Sequence, residues 1–295
     1  MTPTNRLANI TDRRWPEEGF TRIPNWIYTD PGIFEREMEV FFSGRTWNYV
    51  ALECEVPRPG TFKRSWIGTK PVIVVRDEHG EIVVLENRCA HRGPQLCWRN
   101  RGEAKEFTCP YHQWNYDLRG NLRGIPFRRG ALGKGGMPAD FELSRHNIRR
   151  LRVALRGGSI WATFDEETPS FEEYCGPEVL DEIDAMFPGK PLVLQGYSRQ
   201  LIPSNWKMYL ENLKDPYHAT LLHTFYITFG LWRADSRSEC NPTRGFTKVP
   251  VGGTLKHPID FLGEPNGNYC ANTWRRNDDG SKTEIGHVCL DILTM

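Results

Sequence analysis

The sequence lacks any apolar run long enough to span a membrane, and its first residues lack the apolar core of a secretion signal. It also lacks an excess of either charge, because 38 Lys and Arg residues stand against 37 Asp and Glu residues, a formal net charge of +1. We therefore expect a cytoplasmic protein with no nucleic-acid partner and no membrane partner. The basic run Arg149-Arg150-Leu-Arg152 is interpreted as a solvated strand edge.

Cysteine is sparse and irregularly spaced. The eight Cys residues among 295 do not form the framework typical of small disulfide-rich secreted proteins. Six of them are interpreted as ordinary thiols: Cys54, Cys97, Cys175, Cys240, Cys270 and Cys289. The remaining two, Cys89 and Cys109, each have a histidine close by in sequence.

Two short segments combine one cysteine with one histidine. They are Cys89-Ala-His91-Arg-Gly-Pro and Cys109-Pro-Tyr-His112-Gln-Trp, with seventeen residues between His91 and Cys109. A Cys2His2 zinc site usually pairs Cys with Cys and His with His. A [2Fe-2S] cluster with two His ligands instead takes one Cys and one His from each of two facing loops. The pattern therefore favours such a cluster over a structural zinc site or four unrelated core residues.

The pattern CxH…CPxHxW resembles the Rieske domain of ring-hydroxylating oxygenases. A respiratory-chain Rieske protein would carry an additional Cys in each loop, where this sequence has Pro94 and Tyr111. Gly93 and Pro110 suit backbone that folds tightly around a cluster. The resemblance implies a Rieske-type [2Fe-2S] cluster bound by four ligands: Cys89, His91, Cys109 and His112.

A second group of possible metal ligands lies about a hundred residues further on. Asp215 and His218 are three residues apart, which places them on one helical face, where the carboxylate can orient the imidazole. His218 and His223 are five apart, roughly 140° around an ideal helix, so both reach one metal only if the helix is distorted. Pro216 is a plausible cause of such a distortion. Taken alone, the segment fits two packed or exposed histidines equally well.

Together with the first motif, the segment Glu211-Asn-x-x-Asp215-x-x-His218-x-x-x-x-His223 resembles the mononuclear iron motif of Rieske non-heme iron oxygenase α subunits. The resemblance implies mononuclear Fe(II) on His218 and His223 with positions left open for O2. It also implies an electron path from His112 of one subunit through Asp215 to His218 of the next, and hence a ring of three subunits. In the family the third ligand is a later Asp. The sequence does not select among four candidates: Asp260, Asp278, Asp279 and Asp291.

Further segments, among them Ile125-Pro-Phe-Arg-Arg-Gly and His223-Thr-Phe-Tyr, resemble the large subunits of salicylate 5-hydroxylase and anthranilate dioxygenase. This implies hydroxylation of an aromatic carboxylate by O2, with electrons from NADH delivered through a ferredoxin reductase and a ferredoxin. It further implies a small β subunit and a homotrimer of α or an α3β3 assembly. The alternative is a cytoplasmic Rieske electron-transfer protein with a vestigial or incomplete oxygen site, since only 72 residues follow His223. The ring position attacked, and mono- versus dioxygenation, stay open.

The expected fold class is α+β, with an all-β Rieske [2Fe-2S] domain inserted in an α+β catalytic domain that contains an antiparallel sheet and helices and is shortened at its C-terminus. The predicted limits are 1–45 for an N-terminal helical segment of the catalytic domain, 46–166 for the Rieske domain and 167–295 for a partial mononuclear iron domain. A helix is predicted to begin near Asp30-Pro31, with Phe34, Met38, Phe41 and Phe42 on its apolar face. Strands are predicted over 71–75 and 81–85, with a closing hairpin at 151–164. The Gly-rich stretch 127–140 is predicted to be a flexible surface loop.

Overall fold

The computed structural model describes residues 13–19, 22–132, 134–186, 192–197, 199–214, 222, 259–263, 269–276 and 282–289. The chain divides into two compact units, one comprising 1–40, 172–188 and 196–294 and the other comprising 41–171, 189–195 and Met295. The domain limits predicted from the sequence, at 45/46 and 166/167, differ by about five residues from these boundaries. In the described part of the chain, no helix has the length and apolar character that a membrane span requires.

The unit around residues 41–171 is built on antiparallel strands. Seven of them form one sheet in the order β1-β10-β9-β4-β3-β2-β5. Three very short strands form a second sheet in the order β6-β7-β8. The strands are β1 Asn48–Leu52, β2 Thr61–Ile67, β3 Lys70–Arg76, β4 Ile82–Glu86, β5 Arg101–Glu103, β6 Phe107–Thr108, β7 Asn115–Tyr116, β8 Leu122–Gly124, β9 Arg150–Arg156 and β10 Ser159–Thr163.

The central strands of the large sheet are buried on both faces. Ile73, Val75, Val83 and Leu85 alternate along β3 and β4 and pack into one apolar core with residues of the small sheet. The intervening Val72, Val74 and Val84 point to the opposite face and are also buried. This double burial explains the continuous β-branched runs from which both strands were predicted. The closing hairpin is also confirmed, with Gly157 and Gly158 at positive φ between β9 and β10.

The basic run is solvated as predicted, since Arg149 and Arg150 are exposed, but its predicted position at a strand edge is wrong. Strand β9 lies inside the sheet, paired with β10 on one side and β4 on the other. The arginine side chains instead reach backbone carbonyls that flank the strand: Arg149 donates to Phe164 O at 2.6 Å and Arg152 to Glu166 O at 3.0 Å. Their positive charge therefore serves internal hydrogen bonds.

The other unit contains five described helical segments and a three-stranded antiparallel sheet. The helices are α1 Trp26–Thr29, α2 Pro31–Glu37, α3 Phe171–Cys175, which runs across the boundary between the units, α4 Pro177–Met186 and α5 Trp206–Lys214. The strands are β11 Ile259–Gly263, β12 Tyr269–Arg276 and β13 Lys282–Cys289, in that order.

The predicted start of the N-terminal helix is confirmed. Its predicted apolar face is wrong at Phe41, which is exposed. Asp30 caps α2, because its carboxylate accepts the N–H groups of Gly32 and Ile33 and Pro31 occupies the first helical position. The chain continues as a π-helical turn over Met38–Phe42. The wider turn rotates the last side chains away from α-helical positions, so Phe42 is buried whereas Phe41 is 49% exposed.

Candidate metal centre

The first candidate loop follows β4 and is closed by the side chain of Asn87. This buried amide accepts the N–H groups of Leu96 and Cys97, both at 2.9 Å, and donates to Cys97 O at 2.7 Å. Three hydrogen bonds from one side chain thus join the two ends of the loop. The role of Cys97, which the sequence does not suggest, is to supply backbone groups to this closure.

The two candidate loops share one backbone pattern. In the first, the N–H of Cys89 donates to Pro94 O and the N–H of Gly93 donates to Cys89 O, both at 2.9 Å. In the second, the N–H of Cys109 donates to Trp114 O at 2.8 Å and the N–H of Gln113 donates to Cys109 O at 2.9 Å. The fifth residue of each loop has positive φ, +79° at Gly93 and +56° at Gln113. Each loop therefore folds as a tight turn around its own cysteine.

The structure brings the four residues predicted as cluster ligands together. Cys89 and Cys109 are buried in the core shared by the two sheets, with 2% and 1% exposure. The imidazoles lie nearer the surface, because His91 is exposed and His112 half-buried, and their ring centroids are 4.7 Å apart. The arrangement is thus an inner pair of thiols and an outer pair of imidazoles.

This donor set fits a two-iron cluster. Such a cluster takes only two protein ligands on each iron, one iron with two sulfurs and the other with two nitrogens. Within the described residues, no group of three or more His, Cys, Asp or Glu side chains is arranged to hold a single metal ion, as a structural zinc site requires. His112 Nδ1 is also buried without a hydrogen-bond partner there, which is costly unless a ligand binds it.

The surroundings of the site shift the pKa values of Cys89 and His91. Burial raises the pKa of the Cys89 thiol more than the hydrogen bond from Tyr116 lowers it, so a nearby cation favours the Cys89 thiolate that a metal requires. Burial lowers the pKa of His91, as do the positive charges of His112, Arg92 and His146. The neutral imidazole that a metal requires is therefore favoured.

Aromatic rings surround the outer imidazoles. The indole of Trp114 stacks on His91, with centroids 4.7 Å apart and planes 5° apart. The Tyr111 ring lies against His112 at 3.7 Å and is 59% exposed. These rings limit how the imidazoles can turn while leaving their end of the site open to solvent.

Tyr116 is a site residue that the sequence motif does not reveal. Its hydroxyl lies 3.3 Å from Cys89 Sγ and accepts the Ala90 N–H at 3.2 Å. Burial raises the pKa of Tyr116, and the Cys89 thiol beside it raises the pKa further, so the hydroxyl keeps its proton and can donate it to the sulfur. The sequence feature that could have identified Tyr116 is its position two residues after Trp114, at the end of the second loop.

The second predicted metal group lies largely outside the described residues. This applies to Asp215, His218 and His223, and to Asp278, Asp279 and Asp291 among the candidates for the third ligand. Asp260 lies on β11. Helix α5, which ends at Lys214, directly precedes Asp215 and is capped by Asn205, whose side chain accepts the Lys207 N–H at 3.1 Å.

Polar contacts, those of Glu37 largely buried, fix α5 to the N-terminal helices. The Glu37 carboxylate accepts two hydrogen bonds from Lys207 Nζ, both at 2.7 Å, and one from Trp206 Nε1 at 3.0 Å. The Tyr28 hydroxyl donates to Glu211 at 3.3 Å. The helix that leads into the predicted iron ligands is therefore held at both of its ends.

Comparison with known proteins gives concordant matches. Residues 46–135 match the family model for the Rieske [2Fe-2S] domain. The chain is 53% identical over 245 residues to the large oxygenase component of salicylate 5-hydroxylase from Ralstonia sp, which covers 81% of this chain and 58% of that protein. It is 44% identical over 234 residues to the anthranilate 1,2-dioxygenase large subunit of Burkholderia cepacia, covering 79% of this chain and 55% of that protein. The chain thus spans a little over half the length of these relatives.

A solved structure extends the match to the fold. Naphthalene 1,2-dioxygenase with indole in its active site superposes with a TM-score of 0.67 at 25% identity, covering 83% of this chain and 52% of that chain. The predicted α+β class with an antiparallel sheet is confirmed. The resemblance seen in the sequence is confirmed as well: the chain carries a Rieske [2Fe-2S] domain and is related in sequence and fold to the large subunits of the Rieske aromatic-ring oxygenases.

Proposed function

We propose that the chain acts as the large subunit of a multicomponent oxygenase that hydroxylates an aromatic carboxylate, such as salicylate or anthranilate, using O2 and electrons from NADH. The observation that carries the proposal is the pair of buried thiols beneath two outward imidazoles, with His112 Nδ1 unpartnered in the described part of the chain. Similarity to oxygenase large subunits that are named for such substrates supports it. In this proposal residues 46–166 form the Rieske domain, and residues 1–45 and 167–295 belong to the catalytic domain.

In this function Cys89, His91, Cys109 and His112 hold the [2Fe-2S] cluster, and His218 and His223 hold the mononuclear iron. When bound, the cluster supplies one-electron transfer and the mononuclear iron supplies the site of oxygen activation. The residues of the chain set the geometry. The two cysteines lie at the buried inner end of the site, away from solvent, and the imidazoles present ring N–H groups to a neighbouring subunit. Asp215 orients the His218 imidazole and faces the partner subunit's His112.

The proposed assembly follows from that last contact. An electron path that crosses between subunits needs a closed ring, so we propose an α homotrimer or an α3β3 complex with a small β subunit. A ferredoxin and an NADH-dependent ferredoxin reductase would supply electrons, and the complex would work in the cytoplasm.

The test measures the iron content per chain and records an electron paramagnetic resonance spectrum of the anaerobically prepared, reduced protein. About three irons, two in a Rieske-type signal and one mononuclear, are expected of the oxygenase. About two irons, all in the cluster, would overturn the oxygenase proposal in favour of an electron carrier. A His218→Ala variant sharpens the result, since it should lose the mononuclear iron and keep the cluster signal.

A further inference from the structure

A loop beside the candidate metal centre carries positive charge and exposed apolar side chains. We call residues 127–137, without Gly133, which lies outside the described residues, the basic loop. Arg128, Arg129 and Lys134 are exposed, and this stretch contains no acidic residue. Phe127 is 74% exposed and Leu132 fully exposed. Exposed apolar side chains surrounded by charges of one sign are typical of a binding surface.

The basic loop has a defined shape. Ala131 and Lys134 exchange two backbone hydrogen bonds at 2.9 and 3.0 Å, and the Met137 N–H donates to Arg128 O at 2.9 Å. Phe127 and Leu132 have φ of +56° and +51°, a left-handed conformation that is strained for residues with a side chain. The predicted surface position is thus confirmed, whereas the predicted flexibility does not agree with the backbone hydrogen bonds that close the turn. Because the turn is already formed, binding through it costs less conformational entropy than binding through a loose segment.

The base of the basic loop contacts the candidate metal centre. Met137 and Phe141 pack against the core that contains Cys89 and Cys109. The Phe141 ring lies edge-on to Trp114 at 6.1 Å, and Trp114 in turn stacks on His91. Phe141 lies four residues beyond the basic loop and accepts a hydrogen bond from Arg128 of the loop, and two ring contacts separate it from the proposed cluster ligand His91.

We propose that the basic loop is the docking surface for a small acidic electron-carrier protein of the ferredoxin class, an inference that rests on the proposed function. The positive charge is concentrated locally, because the chain as a whole has a net charge of only +1 while the loop carries three cations and no anion. Such a patch attracts and orients an acidic partner, and an exposed Leu at the tip adds an apolar contact at the centre. A symmetric contact with a second copy of this chain would bring like charges together.

The test measures binding of a purified acidic plant-type [2Fe-2S] ferredoxin by calorimetry at low ionic strength. The variant is Arg129→Gln/Lys134→Gln, because neither side chain makes a hydrogen bond or ion pair among the described residues. Arg128 is retained, since its Nη2 donates to Phe141 O at 3.4 Å. We expect Kd to rise about tenfold, with the difference vanishing at high salt.

The control removes one Arg and one Lys elsewhere. Arg58, whose guanidinium pairs with Glu103 at 2.6 Å on the surface, and Lys105 are exposed and lie near the start of β2, at the end of the sheet opposite to the end of β4 that leads into the first candidate loop. The Arg58→Gln/Lys105→Gln variant should bind the ferredoxin as the unmodified protein does. Leu132→Ser, at a side chain with full exposure, should weaken binding severalfold without changing the melting temperature.

A second readout does not depend on affinity. Carbodiimide treatment of the complex should join Lys134, and not Lys105, to ferredoxin carboxylates, as peptide mass spectrometry would detect. Equal Kd for the loop and control variants would overturn the docking proposal while leaving the proposed function intact. The docking proposal would also be overturned if the loop variant left ferredoxin binding unchanged and altered only the sedimentation coefficient of the chain, because the loop would then mediate self-association. Absence of a Rieske spectrum from the unmodified protein would instead contradict the proposed function.

Discussion

The hydroxyl of Tyr116 lies 3.3 Å from the sulfur of Cys89 and accepts the Ala90 N–H from its other side. Having accepted one hydrogen bond, it is positioned to donate to the sulfur. A donor to a ligand sulfur stabilises the reduced, more negative form of an iron-sulfur cluster. Tyr116 thus connects a residue outside the binding motif with the electron affinity of the site.

We therefore predict that Tyr116→Phe lowers the midpoint potential of the cluster. One such hydrogen bond is worth about 1 to 2 kcal/mol, which for a single electron corresponds to a decrease of about 40 to 90 mV. The measurement is a redox titration followed by electron paramagnetic resonance. Tyr111→Phe is the matched control, since that ring also lies against a candidate ligand but its hydroxyl has no hydrogen bond among the described residues. Equal potentials for Tyr116→Phe and the control would contradict the assignment.

The shared turn of the two loops predicts substitutions with opposite effects on stability. Gly93 has φ of +79°, and an added Cβ would lie 2.8 Å from Arg88 Nε. The Arg88 side chain can move, but the backbone strain persists, so Gly93→Ala should destabilise by about 1 to 2 kcal/mol. Gln113 already occupies the left-handed region in the second loop, so Gln113→Gly should stabilise by about 0.5 kcal/mol. Urea midpoints of the iron-loaded proteins provide the comparison, and shifts of the same sign would refute it.

The buried contact between Glu37 and Lys207 predicts that removing one partner alone lowers the free energy of unfolding more than removing both charges. Their side chains are only 10% and 16% exposed. Lys207→Met leaves the carboxylate buried with the Trp206 indole as its remaining donor among the described residues, at a cost of about 3 kcal/mol in the free energy of unfolding. Adding Glu37→Gln should recover part of that loss, because the unpaired charge is gone. A double variant less stable than Lys207→Met alone would show that the pair does not act in this way.

The parts of the fold that follow from local sequence are the ones predicted correctly. The mixed Cys and His pairs indicate two facing loops, and the β-branched runs along β3 and β4 reflect burial on both faces. The exposure of Phe41 was not predictable from helical periodicity, because a π-helical turn replaces the last α-helical one. The roles of Asn87 and Tyr116 depend on partners brought close only by the loops, and Glu37 is paired with a lysine 170 residues away. Helical and strand periodicities in the sequence carry no information about such long-range side-chain contacts.

The carboxylate of Asp117 predicts a specific dependence of stability on pH. Burial alone would raise its pKa, but hydrogen bonds from the Asn121 side chain and N–H, the charge of Arg123 and the Arg119 N–H together lower the pKa below its ordinary value of 3.8. A lowered folded-state pKa contributes stability that is present above the unfolded-state pKa and is lost as the pH falls through the folded-state value.

Asp117→Asn should therefore be less stable than the unmodified protein by a constant amount from pH 7 to about pH 5. The difference should shrink as the pH falls below 3.8 and through the lower folded-state pKa, since protonation then removes the same charge from the unmodified protein. Urea midpoints across this range provide the measurement. Asp140→Asn is the control, because that exposed carboxylate makes no hydrogen bond or ion pair in the described part of the chain. A difference that grows toward acid would mean that the folded protein holds Asp117 protonated, contrary to the hydrogen bonds that surround it.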